Sequence, residues 1–270
     1  MNRDVIIACD FSSREATLAF LDRFTGRKPF VKIGMELFYA EGPAIVREIK
    51  ARGHKIFLDL KLHDIPNTVK KAMRVLSDLD VDMVNVHAAG TVAMMQAALE
   101  GLTRPDGTRP LLIAVTQLTS TSESVMQEEL LIKTGMGRAI IQYALNAKKA
   151  GLDGVVCSPL EAGMVKQACG AGFLTITPGI RFADAGKDDQ VRITTPARAR
   201  EIGSDFIVVG RPITAAEDPV AAYERCMKEF AYWKDRSHPP SSPSAPYSCG
   251  PNSPLPGPAA SRARFIATTA

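Results

Sequence analysis

KIFLDLKLHDIPNTVKKAMRVLSDL, residues 55–79, carries two periodicities in one stretch. KIFLDL (55–60) is a short, mostly apolar run of strand type, and NTVKKAMRVLSDL (67–79) brings its apolar residues back at helical spacing. The stretch is one strand-then-helix unit. It leaves Asp59, Lys61 and Asp64 where a core strand comes to the surface.

The same alternation continues on both sides. Upstream lie VIIAC (5–9) and FVKIG (30–34); downstream lie MVNVH (83–87), LLIAVTQL (111–118), GVVCS (154–158), LTITPG (174–179) and FIVVG (206–210). Amphipathic segments such as SREATLAFLDRF, GPAIVREIKARG and GRAIIQYALNAKKAG separate them, several ending in a C-capping glycine. Near-continuous apolar strands need a parallel sheet covered on both faces. Eight such units in about 235 residues predict an α/β fold, a single (β/α)8 TIM barrel, since barrels of this kind run to about 250 residues. An open dinucleotide-binding sheet is disfavoured, because no G-x-G-x-x-G follows the first strand.

In such a barrel the chemistry sits at the C-terminal ends of the strands. The polar residues there are Asp10, Lys32, Asp59 with Lys61, His87, Thr116 with Thr119, Thr177, and Gly210 with Arg211. Period-two geometry places Asp59 and Lys61 on one face of the third strand and Leu58, Leu60 and Leu62 on the other. If the leucines face the helices, both charges enter the barrel mouth, where Lys32 of the neighbouring strand reaches Asp59. Charges at that depth must pair. The chain of charges is either a structural ion-pair network or a catalytic cluster.

TPGIRFADAGKDDQVRITTP is long and polar for a βα turn and is expected to form a lid. VVGRPIT closes the eighth strand, where Gly210 allows close backbone approach and Arg211 offers a forked cation at the usual phosphate position of the fold. His63 and His87 are expected in structural roles, His54 exposed before its strand, and Cys157 buried without a base.

The formal charge of +4 falls to about +2 without Arg262 and Arg264, too little for a nucleic-acid surface. Five scattered cysteines, with no C-x-x-C pair, indicate neither disulfides nor zinc. MNRDVIIACD is too short in its apolar run for a signal peptide, and no segment approaches a membrane span. A cytoplasmic protein is expected. From about Ser237 the composition changes: eight of the 18 prolines fall here, without acids or periodicity. The reading is a barrel domain at 1–236 and a disordered Pro/Ser-rich C-terminal extension at 237–270.

With these residues in view, the chain resembles the bacterial-type orotidine 5'-phosphate decarboxylases. FLDLKLHDIPNTV matches the family's signature, and VKIG, LTS, TPGIR, the glutamine of DDQ and VVGRPI follow in the family's order and spacing. The resemblance covers residues 1 to about 235. It implies a metal-free, cofactor-free conversion of orotidine 5'-monophosphate (OMP) to uridine 5'-monophosphate (UMP) in pyrimidine synthesis. By the same resemblance, Lys61 donates a proton to C6, Asp59 lies against the substrate carboxylate, and Lys32 completes the chain and contacts the ribose. Asp64, Ile65 and Thr68 enter the site of a partner subunit, which implies a homodimer. Asp10 binds ribose and Thr119 the pyrimidine. Pro178 joins the substrate contacts, while Arg181, Gln190, Gly210 and Arg211 serve the phosphate region.

Two other readings compete. Sugar-phosphate enzymes of the same superfamily share D-x-K-x-x-D but hold magnesium through an acid at the end of the second strand, where this chain has Lys32. A non-catalytic phosphate-sensing barrel needs Gly210 and Arg211 but not the Lys32, Asp59, Lys61, Asp64 chain.

Overall fold

Runs of Val, Ile and Leu that are apolar on both faces need one layer inside them and another outside. The computed structural model, which describes residues 3–184 and 194–232, meets this need by closing the sheet. Strands β1 (Asp4–Ala8), β2 (Phe30–Ile33), β3 (Ile56–Leu62), β4 (Met83–His87), β5 (Leu111–Val115), β6 (Gly154–Val156), β7 (Leu174–Thr177) and β8 (Phe206–Val209) form a parallel barrel in chain order. β8 pairs back onto β1. The expected (β/α)8 barrel is therefore the observed fold. The proposed tail at 237–270, its boundary at 236, and residues 185–193 with Gln190 lie outside the described residues.

Helices cover the outside: α1 (Arg14–Asp22), α2 (Met35–Ala51), α3 (Pro66–Ser77), α4 (Thr91–Leu102), α5 (Glu123–Glu128) and α6 (Met136–Lys149). Then come α7 (Ala162–Cys169), α8 (Pro196–Ile202), α9 (Arg211–Thr214) and α10 (Pro219–Phe230). Side-chain oxygens of Ser13, Thr195 and Asp218 accept from free N–H groups in the first turns of α1, α8 and α10. Among the described residues no helix is long and apolar enough to cross a membrane.

Alternate strand residues divide between two cores. Ile6, Phe30, Phe57, Met83, Ile113, Ile176 and Phe206 fill the barrel interior, whereas Val5, Ile7, Val31, Ile33, Leu58, Val84 and Ile207 face the helices. Phe30 and Phe206, each the first residue of its strand, meet edge to face with centroids 6.2 Å apart and close the N-terminal end. The charges lie above it, toward the other mouth.

The structure differs from the sequence reading in several places. β5 stops at Val115 instead of running to 118; the Thr116 N–H makes the last ladder bond to the Val156 carbonyl of β6 at 3.1 Å, and its hydroxyl adds a second to the same oxygen at 3.0 Å. α2 begins at Met35, before the expected GPAIVREIKARG, and kinks at Gly42, whose φ of +65° suits glycine. Pro43, which has no N–H, starts the second segment of α2. α5 and the one-turn α9 were not anticipated; Gly210 and Arg211 stand at the start of α9. His54 is not exposed. It is 2% accessible, with Nδ1 2.9 Å from the Pro29 carbonyl.

Candidate active site

The inner face of the barrel carries Phe30 and Lys32 on β2, Phe57, Asp59 and Lys61 on β3, and Met83, Asn85 and His87 on β4. The lower member of each set belongs to the interior core. The upper members are polar and meet at the C-terminal mouth. Lys61 Nζ lies 2.7 Å from Asp59 Oδ1, and Lys32 Nζ lies 3.4 Å from Asp59 Oδ2 and 2.8 Å from Asp10 Oδ1. Each oxygen of one carboxylate therefore faces a different ammonium. Leu58 and Leu60 are buried toward the helices, as the alternation requires.

Lys32, Asp59 and Lys61 line a cavity of about 190 Å³ together with Phe57, Gln117, Thr119, Cys157 and Pro178. Asp59 is 7% exposed. Burial is the largest single influence on it and pushes its pKa up. The charges of Lys32 and Lys61, with hydrogen bonds from Lys61 and Asn85, outweigh burial and hold it below the ordinary 3.8. For Lys32 burial again is the largest influence and pulls down, but Asp59 and Asp10 together raise it above 10.5. The result is a carboxylate and an ammonium fixed in their charged forms.

A stability signature follows from linkage. The Asp59 contribution is present above its ordinary pKa and is lost as pH falls through the lower folded-state value; the Lys32 contribution is present below 10.5 and lost only as pH rises through a higher one. Lys32→Met removes the largest charge effect holding Asp59 ionised. The gap in melting temperature between wild type and Lys32→Met is expected to be steady from about pH 5 to 9 and to close below about pH 4. Calorimetry across this range checks it; a gap unchanged at pH 3 would contradict the assignment.

The other residues of the sequence reading lie in several places. Thr119 and Pro178 line the same cavity as Lys32, Asp59 and Lys61. Arg181 is buried, its Nη1 donating to the Ile180 carbonyl at 2.8 Å, and Arg211 is exposed beyond β8. Asp64 and Thr68 do not line that cavity. They border a second groove with Met35, Tyr39 and His63 that shares only Lys61 with the first, and Ile65 beside them is exposed. Thr116 and Thr177 are spent on structure: the Thr177 hydroxyl lies 2.9 Å from Ser204 Oγ. His63 and His87 face each other at 5.8 Å between centroids, and burial, with the charges of His63 and Lys61, pulls the His87 pKa below 6.5. Cys157 is buried as expected, and burial pushes its thiol pKa far up.

Three residues escaped the sequence reading. Gln117 lines the cavity. At Gly34 a Cβ would sit 3.2 Å from both Asp10 Oδ1 and Lys32 Nζ, so the missing side chain leaves room for that ion pair. Asn85 donates from Nδ2 to Asp59 Oδ1 at 2.6 Å. The available signal was an amide between Val84 and Val86, on the inward-facing phase of MVNVH.

Comparison with known proteins gives a consistent answer. The family model described as "Orotidine 5'-phosphate decarboxylase / HUMPS family" matches residues 3–226. Orotidine 5'-phosphate decarboxylases of Geobacillus sp. (strain WCH70) and Bacillus cereus (strain Q1) are 57% and 56% identical over 233 residues, 85% of this chain and 98% of each relative. The crystal structure of orotidine 5'-phosphate decarboxylase from Lactobacillus acidophilus superposes with a TM-score of 0.77 at 43% identity, covering 85% of this chain and 99% of that one. An uncharacterized conserved protein from Geobacillus kaustophilus superposes with a TM-score of 0.76 at 50% identity, covering 84% and 99%.

Proposed function

The chain belongs to the orotidine 5'-phosphate decarboxylase / HUMPS family, and on that premise we propose that it converts OMP to UMP through Lys61. The C6–carboxylate bond breaks, its electron pair stays on C6, and carbon dioxide leaves. The Lys61 ammonium then gives a proton to C6, and the neutral amine regains one from solvent. The ring delocalises the developing charge poorly, so a cation already fixed beside C6 stabilises the transition state more than the ground state. One observation carries the reading: Asp59 holds Lys61 and Lys32 on its two oxygens in a cavity at the barrel mouth.

In this reading Asp59 orients the Lys61 ammonium and lies against the carboxylate that departs. Asp10 and Lys32 meet the ribose, Thr119 and Pro178 the pyrimidine, and Arg181, Gln190, Gly210 and Arg211 the phosphate. The reaction as read needs neither metal nor cofactor. Phosphate binding far from C6 supplies energy for ordering the site around the reacting carbon.

Asp64, Ile65 and Thr68 complete the site of a second copy. The supporting observation is that they are exposed beside Tyr39 (71% accessible) and Ile65 itself is 67% accessible, outside the cavity of their own chain. Asp64→Ala and Lys61→Ala are each expected to be inactive alone. Mixed and reassociated, they are expected to regain about a quarter of wild-type activity, since half the random dimers carry one intact site. No recovery on mixing would place Asp64 in its own chain's site or outside the site altogether.

The experiment for the activity follows OMP absorbance with purified protein in excess EDTA, beside a chain ending at Arg236. Rapid turnover supports the decarboxylase. Absence of OMP turnover, with magnesium-dependent action on a keto-sugar phosphate, would assign the chain to the sugar-phosphate branch instead.

A further inference from the structure

β3 and β4 lose their regular register in the middle. Leu58 pairs with Val84 and Leu62 with Val86, so β3 spends four residues where β4 spends two. The displaced segment holds Asp59, Leu60 and Lys61, and Lys61 has φ of +51°, in the left-handed region that side-chain-bearing residues rarely adopt. Asn85 lies opposite the displaced segment. It is 1% exposed and uses both ends of its amide. Oδ1 accepts from the Lys61 backbone N–H at 2.8 Å, and Nδ2 donates to Asp59 Oδ1 at 2.6 Å.

The orientation of the amide is fixed by its neighbours. A backbone N–H can only donate and a carboxylate can only accept, so the carbonyl must face Lys61 and the NH₂ must face Asp59. The oxygen that Asn85 holds is also the one that receives Lys61 Nζ. One side chain thus grips the proposed proton donor at its backbone and again through its counter-ion.

We propose that Asn85 is a positioning residue for the reaction: it holds the strained Lys61 backbone and the Asp59 carboxylate in one arrangement, and so sets where the Lys61 ammonium stands. The catalytic part of this inference rests on the decarboxylase reading. A purely structural role would need only an acceptor for the Lys61 N–H. The donor to Asp59 is what a positioning role adds.

Asn85→Asp and Asn85→Ala separate the two roles. Asn85→Asp keeps the shape and the acceptor, and while its new carboxyl is protonated it still donates to Asp59; once ionised it repels Asp59. Its kcat is therefore expected to fall as pH rises, through an ionisation absent from wild type. Asn85→Ala is expected to lose about 10²-fold in kcat, as for an ångström-scale misplacement, with KM and UMP affinity changed by less than about threefold. A carboxyl ¹³C NMR titration reads the same contact without any substrate: Asp59 is expected to titrate at higher pH in Asn85→Ala than in wild type.

A wild-type pH profile and kcat in Asn85→Asp, or an unmoved Asp59 titration in Asn85→Ala, would overturn the proposal. So would failure of both variants to fold, since Asn85 would then serve the barrel and not the site. A displaced Asp59 titration in Asn85→Ala, with a wild type that leaves OMP untouched, would uphold the positioning and overturn the substrate.

Discussion

Lys61→Ala is expected to lower kcat for OMP decarboxylation by about 10⁵-fold while UMP binding stays measurable. Two contributions vanish together. A positioned proton donor is worth about 10² to 10⁴, and a preorganised charge at a developing carbanion about 10² to 10³. The fold should tolerate the change, because Asp59 keeps Lys32 at 3.4 Å and the Asn85 amide at 2.6 Å, so no buried charge is left alone. Single-turnover assays with OMP, beside calorimetric binding of UMP, check it. A kcat within tenfold of wild type would remove Lys61 from the chemistry.

Asp59→Ala is expected to damage both activity and stability. The substitution leaves Lys32 and Lys61 facing each other without the carboxylate between them, and it strips the Asn85 NH₂ of its acceptor. Breaking one partner out of a buried ionic network costs about 3 kcal/mol, or roughly 6–12 °C in melting temperature for a domain of this size. Turnover is expected to drop about 10³-fold as the Lys61 ammonium loses its fixed direction. The contrast with Lys61→Ala is the informative part: one variant is inactive and stable, the other inactive and unstable. Equal melting temperatures would mean that water replaces the carboxylate at no cost.

The barrel was legible because its strands have to be apolar on both faces, and runs such as FIVVG and VIIAC admit few other structures. Lys32, Asp59 and Lys61 were legible for a related reason: charges in the inward phase of buried strands have nowhere to go except toward each other. The positive φ of Lys61 was not legible, because it depends on a register shift against β4 and on an amide 24 residues away. His54 was misread for the same kind of reason, since the carbonyl that receives it belongs to Pro29, 25 residues earlier. β-Bridge formation and hydrogen bonding between distant segments leave little trace in local periodicity. The proposed place of Asp64 in a second chain's site has no trace in local periodicity at all, and there the family signature supplied the expectation.

The edge-to-face closure of Phe30 on Phe206 has a consequence for traffic. With the interior below Lys32 and Asp59 filled by Ile6, Phe57, Met83, Ile113 and Ile176, the barrel is a cul-de-sac. On the proposed reaction, carbon dioxide released above this packed layer has no path through it, and neither does displaced water. Entry of the nucleotide and departure of the gas must share one doorway, so the order of exits is set at the mouth, by whatever stands there, and not by the depth at which the bond is broken.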